Sequence, residues 1–349
     1  MKEDNNKLPL GILDYEIDLF KRELDSFIPD RIFDAHTHCY KKSHFSGKYS
    51  GILDNLIVDT MDISKYKEYM KEIIPKRQID GLFLGWPKEN EDMDVDEKKA
   101  NEYISEQVSK NPNWRGSMII RPDMNPEFIR EEIKRLKLSG LKCYRGYSKK
   151  RPTFNADITD YLPEEQVKIA HEEELAITLH IVKARSLADK VNIEIIARYC
   201  KRYPSMRLIL AHAARGFNPY HLLEGIKKLK DLNNIWFDTS FVQEPAAFEI
   251  IIRNFGHKKL LYGSDFPLIL LRGKLTSVGN SFLLFDENII KNQIEATPDA
   301  VLGLEEFKPV MVGIESLRAI KLASVNLGLK DNQIEDIFYN NAKDLFKLV

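Results

Sequence analysis

Apolar positions along the chain fall into short continuous runs separated by stretches with helical spacing, and the alternation repeats. Tyr15 to Phe27 sets Ile17, Leu19, Phe20, Leu24 and Phe27 at helical intervals and stops at Pro29, which predicts an entry helix. Arg31 to His38 reads as a strand. Further strand signals follow at Gly81 to Gly85, Ser117 to Ile120, Gly140 to Tyr144, Ala176 to His180, Leu208 to His212, Ile235 to Asp238 and Leu260 to Gly263. Helical patterns lie between them, near Ser64 to Ile74, Val95 to Lys110, Pro163 to Glu173, Asp189 to Tyr203 and Pro245 to Phe255. Another opens at Asn125-Pro126, a capping residue followed by proline at the first helical position, and is expected to turn Phe128, Ile129, Ile133 and Leu136 inward. Helices near Ile314 to Leu327 and Asp331 to Phe346 close the chain.

Several of the strands are apolar at consecutive rather than alternate positions, so both of their faces are buried, as in a parallel sheet covered by helices. Eight such units predict an α/β fold, a (β/α)8 TIM barrel formed by residues 1–349 as a single domain. A doubly wound open sheet is the alternative. Its usual nucleotide-binding signals, Gly-x-Gly-x-x-Gly after a strand or a Gly-Lys-Ser/Thr phosphate loop, do not occur in the sequence. Residues 268–312, with Gly273, Gly279, Pro298 and Gly303, form an insertion after strand eight and a candidate active-site cover or homo-oligomer contact. A polar loop is expected over Lys41 to Gly51 and an acidic one after strand two.

Composition narrows the class without naming a function. Of 349 residues, 43% are hydrophobic and 30% charged, with a net charge of −1, which speaks against a protein built to coat nucleic acid. The segment Met1 to Pro9 has no apolar core of the secretory kind, and no run is long enough to cross a bilayer. Cys39, Cys143 and Cys200 form neither a Cys-x-x-Cys pair nor a disulfide framework. A cytoplasmic location is therefore expected, with Cys39 and Cys143 as small packing residues rather than nucleophiles.

The chemistry concentrates at strand ends. His36 and His38 are one residue apart on strand one, so an extended backbone aims both imidazoles at one face, where they either share a divalent ion or make structural hydrogen bonds. Reactive groups of a barrel sit at the C-terminal ends of its strands. Found there are His36 and His38 on strand one, Lys142 and Tyr144 on four, His180 on five, His212 on six, and Asp265 just past eight. Histidines of purely structural use would not be expected to gather on one rim.

Phe33-Asp34-Ala35-His36-Thr37-His38, Thr178-Leu179-His180, Leu210-Ala211-His212 and Tyr262-Gly263-Ser264-Asp265-Phe266-Pro267 resemble the strand-end motifs of the amidohydrolase superfamily, in its amidohydrolase-related group of lactonases and decarboxylases. Ile337 to Ala342 with Leu345-Phe346 is similar as well. The resemblance implies that His36, His38, His180 and Asp265 hold one divalent ion, zinc or alternatively manganese, with His212 beside it polarising the reacting group. A second ion bridged by a carboxylated Lys142 is the two-metal alternative. The implied activity is hydrolysis of a small anionic lactone or ester-like carboxyl derivative by an activated water, with Asp265 as proton acceptor. Non-oxidative decarboxylation of an unsaturated or aromatic carboxylate is the second reading, and phosphodiester cleavage the third.

Cations crowd the loops that would border such a site: Arg121, Arg145, Lys149, Lys150, Arg151, Lys183, Arg185, Arg215 and Arg272. Most are expected to be solvated surface. Arg145, Lys183, Arg185 and Arg215 lie nearest strand ends and, with Lys142 and Tyr144, are the candidates for binding an anionic substrate such as a sugar-acid lactone. His44, His171, His221 and His257 fall in loops or helices and are expected not to ligate, and Asp238 at the end of strand seven has no assigned role.

Overall fold

The computed structural model describes residues 11–48, 56, 58–296 and 308–348. The amino-terminal segment, Gly51 in the polar loop, and Pro298 and Gly303 in the insertion lie outside the described residues. The strands are β1 (Arg31–His38), β2 (Gln78–Leu84), β3 (Arg115–Ile119), β4 (Gly140–Cys143), β5 (Ala176–Leu179), β6 (Arg207–Leu210), β7 (Ile235–Asp238) and β8 (Leu260–Leu261). Each is parallel to the next in chain order. The sheet closes where β1 meets the residues after β8: Ala35 N–H donates to Tyr262 O at 2.8 Å, Asp265 N–H to His36 O at 2.7 Å, and His38 N–H to Phe266 O at 3.0 Å. The fold is a (β/α)8 TIM barrel.

The covering helices start where the sequence supplies caps. In α2 (Ile63–Ile73), Asp62 accepts from Lys65 N–H at 2.7 Å. In α3 (Pro126–Leu136), Asn125 accepts from Glu127 N–H at 2.8 Å. The inward face of α3 is narrower than expected. Ile129, Ile133 and Leu136 are buried, but Phe128 is 47% exposed, because it stands about 100° around the helix from Ile129. The entry helix is α1 (Asp14–Glu23), shorter than its pattern, and its buried Glu16 pairs with Arg272 at 2.7 Å. Within the loops, short strands pair Tyr40–Lys41 with Thr60–Met61 and Phe45–Gly47 with Met93–Val95. The closing helix is interrupted by a π-helical turn at Asp336–Asn340, between Asp331–Glu335 and Asn341–Phe346. No helix among the described residues is long and apolar enough to cross a membrane.

One irregularity in β1 positions the site. Phe33 and Ala35 face the barrel interior, where with Leu82, Leu84, Ile209 and Leu261 they pack against Tyr339, Ala342, Leu345 and Phe346 of the closing helix. Phe33 stacks on Phe346 with ring centroids 5.5 Å apart. The pairing of β1 with β2 then slips between Asp34 and Thr37. An inserted residue shifts the alternation by one, so the even-numbered His36 and His38 continue the inward face at the barrel mouth. One end of the barrel is sealed with carbon and the other presents nitrogen and oxygen.

After β8, part of the 268–312 insertion forms an antiparallel hairpin, β9 (Lys274–Val278) and β10 (Ser281–Phe285). It is fastened to the barrel. Gln243 accepts from Leu275 N–H at 2.7 Å, Glu244 accepts from Thr276 Oγ1 and Ser277 N–H, and Asn218 Nδ2 donates to Gly279 O and Ser281 O. Phe282, Leu283 and Leu284 of the second strand border the cavity at the barrel mouth.

Candidate metal centre and its cavity

His36 and His38 project from β1 with ring centroids 5.5 Å apart. Each has one nitrogen committed. His36 Nδ1 lies 2.9 Å from Asp238 Oδ2, and His38 Nδ1 lies 3.2 Å from Gly85 O. Both partners only accept, which places the ring proton on Nδ1 and leaves Nε2 with its lone pair. Those two Nε2 atoms face Asp265 Oδ1, at 3.6 Å from His36 and 3.3 Å from His38. Three acceptors thus converge, with ligand atoms within 4.8 Å of one another. Lone pairs so arranged repel unless a cation lies among them, and this donor set fits a divalent metal ion.

Asp265 is held by its backbone as much as by its side chain. Its φ of +67° lies in the left-handed region, and its N–H reaches across the barrel seam to His36 O. Burial pushes its carboxyl up, but the imidazoles of His38, His212 and His36 around it more than offset this and hold it well below the usual range. Burial, with the nearby Lys142, lowers His36 against the pull of Asp238 and Asp265. The arrangement favours an ionised Asp265, and burial favours the neutral forms of His36, His180 and His212.

His212 enters from the turn after β6. His212, Ala213, Ala214 and Arg215 all have φ between +52° and +57°, four left-handed residues without a glycine among them. His212 N–H donates to Asp238 Oδ1 at 2.8 Å, and its Nδ1 lies 3.0 Å from Ser240 O. Its Nε2 is then free to accept from His180 Nδ1 at 3.0 Å, which leaves His180 Nε2 with the lone pair. His180 stands beside Tyr144, ring centroids 5.0 Å apart, and outside the trio formed by His36, His38 and Asp265. Lys142 is fully buried with Nζ 3.2 Å from His36 Nε2, and burial lowers its pKa while Asp265 and Asp238 oppose.

Two carboxylates and a hydroxyl complete the support. Asp238 receives His36 on Oδ2, and on Oδ1 it accepts from His212 N–H, Ser240 N–H and Ser240 Oγ. Ser240 Oγ also lies 2.9 Å from His212 Nδ1, so one aspartate and one serine orient two histidines from different strands. Asp34 accepts from His36 N–H, Ser264 N–H, Ser264 Oγ and Tyr66 OH, tying β1 to the turn that carries Asp265. Burial raises its pKa to about 7 against those bonds. Neither Ser240 nor Asp34 is legible as a site residue in the sequence, whereas Asp238 ends a strand as the candidates do and met the same criterion.

Above these groups opens a cavity of about 700 Å³. His36, His38, Lys142, Tyr144, His180, His212 and Asp265 line it, together with Arg145 and Arg215. Arg145 Nη1 donates to Glu89 O and Thr153 Oγ1, and Arg215 Nη1 to Lys183 O. Among the described residues no carboxylate forms an ion pair with either. The other basic candidates are spent elsewhere. Lys183 pairs with Asp157 at 2.6 Å and Asp189 at 3.3 Å, Arg185 pairs with Glu224, and neither borders the cavity. Arg121, Lys150, Arg151 and Arg272 are likewise ion-paired. His44, His171, His221 and His257 lie outside both the His36, His38 and Asp265 trio and the group of His36, His212 and Asp238, and the three cysteines are buried free thiols.

A mouth-facing set of imidazoles and a carboxylate on a (β/α)8 barrel defines a metal-dependent enzyme of the amidohydrolase type. The chain belongs to the amidohydrolase family, whose profile matches residues 87–348. No curated protein matches the sequence. Among solved structures, an amidohydrolase from Burkholderia multivorans is similar with a TM-score of 0.59 at 12% identity, covering 91% of this chain and 99% of that one. A second structure of that protein contains zinc. A Pseudomonas putida protein assigned as 2-pyrone-4,6-dicarboxylic acid hydrolase gives 0.54 at 15% identity, with coverages of 92% and 98%. The 5-carboxyvanillate decarboxylase of Novosphingobium aromaticivorans, with bound manganese, gives 0.58 at 11%, with coverages of 93% and 98%. At such identities the likeness establishes a shared fold.

Proposed function

We propose that this enzyme uses one divalent ion, zinc or manganese, to hydrolyse a carboxyl derivative of an anionic substrate, a lactone or ester-like group. The observation that carries the reading is the convergence of His36 Nε2, His38 Nε2 and Asp265 Oδ1, with each histidine aimed by a partner on its Nδ1. His180, through its free Nε2, completes the proposed ligand set. When bound, the ion supplies Lewis acidity and lowers the pKa of a coordinated water from about 15.7 towards about 7. Asp265 takes the proton of the attacking water and returns it to the leaving oxygen. His212, held by Asp238 and Ser240, accepts a hydrogen bond from His180 Nδ1 and so keeps His180 Nε2 available to the ion, and Arg145 and Arg215 bind the substrate's anionic group. Lys142 is read as a cation beside His36 rather than as a carboxylated bridge. Metal analysis tests this: one equivalent per chain is expected, and loss of two equivalents together in Lys142→Ala refutes it.

Non-oxidative decarboxylation is the second reading, favoured by the apolar walls of the cavity, which suit protonation of a carbon away from bulk water. Two proteins of this fold carry the names of a lactone hydrolase and a decarboxylase. Measuring carbon dioxide release and ring opening over one panel of carboxylates and lactones separates the two. Ring opening without carbon dioxide is expected; the reverse transfers the assignment to the lyase. Phosphodiester cleavage draws little support, because the basic residues that would track a nucleic acid backbone are paired with carboxylates.

A further inference from the structure

The wall of the cavity carries more information about the substrate than its charges do. Beyond the ring of donors one side is built from Trp86, Phe217, Phe241, Phe282, Leu271 and Leu284, while Glu89, Asn90, Glu91 and Thr153 border another part of the cavity. Aromatic contacts run outward without a break. Phe217 lies 5.7 Å from His212 and 5.0 Å from Phe282 between ring centroids, and the Arg215 guanidinium lies 5.3 Å from the Phe282 centroid. Phe154 then lies against both guanidinium groups, 3.8 Å from Arg145 and 5.4 Å from Arg215. At the mouth Phe154 and Leu283 border the cavity and still remain 45% and 43% exposed. The apolar surface therefore extends from the reacting centre to solvent, with two cations at its outer part.

A polyhydroxylated substrate fits this wall poorly. Each hydroxyl pressed against it without a partner would cost about 1–3 kcal/mol. The buried Nε of Arg145 has no partner within the protein, and burial together with the positive charge of Arg145 lowers the pKa of Arg215. Two neighbouring cations, of which Arg215 is largely withdrawn from water, are a prepared seat for an anion.

We infer that the substrate is an amphipathic carboxylate: an alkyl or aryl body fills the cavity along Phe217 and Phe282, and a carboxylate set apart from the reacting group rests between Arg145 and Arg215. The inference rests on the proposed reaction only for which carbon is attacked; the binding mode needs no turnover. The hairpin that supplies Phe282 and Leu284 is then the element that selects for the apolar body.

Calorimetric titration of the metal-loaded protein with straight-chain carboxylates, butanoate through octanoate, and with the matching primary alcohols tests this. Affinity is expected to rise about fourfold per added methylene in both series. The carboxylates should bind about 10–100-fold more tightly than the alcohols. Arg215→Gln should remove that offset and keep the increment. Phe282→Ser should flatten the increment and keep the offset; if that variant does not fold, the chain-length series on the native protein decides. Affinity that is flat or falls with chain length overturns the inference, as does an offset that survives Arg215→Gln. Steep binding without ring opening or carbon dioxide release would refute the proposed function and leave this inference standing. Turnover of short polar esters with a flat series would do the opposite.

Discussion

Replacing Asp238 by asparagine should cripple the metal site while leaving its shape intact. Oδ1 of Asp238 accepts three bonds, from His212 N–H at 2.8 Å, Ser240 N–H at 3.2 Å and Ser240 Oγ at 2.5 Å, so the carbonyl of an asparagine must occupy that position. Its amide NH₂ then faces His36 Nδ1, which lies 2.9 Å from Oδ2 in the native protein. Two donors cannot share that contact. His36 relieves it by moving its proton to Nε2, the atom that now confronts Asp265 Oδ1 and Lys142 Nζ. The charge-assisted bond lost is worth about 1.5–3 kcal/mol. Outer-shell substitutions of this kind lower metal affinity by about 10–100-fold, which is the same range expressed as a ratio. Competition for zinc and manganese against a chromophoric chelator measures the change, with circular dichroism and thermal unfolding of the metal-free forms confirming the fold. A folded variant that keeps native affinity within about twofold would show that His36 does not ligate through Nε2 or that Asp238 does not set its tautomer.

Further consequences follow from the same contacts. Asp265→Asn suits the left-handed backbone at this position and should preserve the fold, but turnover should drop by about 10²–10⁴-fold; a near-normal rate in a steady-state assay would remove Asp265 from the proton transfers. Asp34 has a folded-state pKa of about 7 against 3.8 for the free group, so its contribution to stability is fully present below the lower value and is lost as pH rises through the upper one. Asp34→Asn should therefore gain on the native protein in urea midpoint between about pH 5 and about pH 8, and an unchanged difference would show that the carboxyl titrates normally. Ala214→Gly relieves a left-handed residue at φ +57° and should raise stability by about 1 kcal/mol, read as a higher midpoint; a loss would mean that the turn is held in place without strain.

The barrel was legible because parallel strands buried on both faces carry their signal in consecutive residues: Leu82-Phe83-Leu84 and Leu208-Ile209-Leu210 need no distant partner to be recognised. The same locality limited the reading of the rim. Lys183 and Arg185 follow β5 closely in sequence, yet two of the carboxylates that hold them, Asp157 and Glu224, come from other segments, and only Asp189 lies nearby in the same loop. Arg215 follows β6 as closely and does reach the cavity, by way of a left-handed turn that Ala213 and Ala214 give no reason to expect. Sequence distance from a strand end selects loops, not directions.

The strand that carries His36 and His38 shows the limit most sharply. Strict alternation from Phe33 and Ala35, both inside the barrel, would send His36 and His38 outward. The register slip between Asp34 and Thr37 reconciles the two sets, and it is stabilised by groups far along the chain: Asp34 gathers Ser264 and Tyr66, while His36 O takes the N–H of Asp265. The side chain that supports the slip and the backbone that receives Asp265 belong to one short segment. The seam of the barrel is therefore also the scaffold of the proposed metal centre, and closing the fold brings the carboxylate to the imidazoles in the same step.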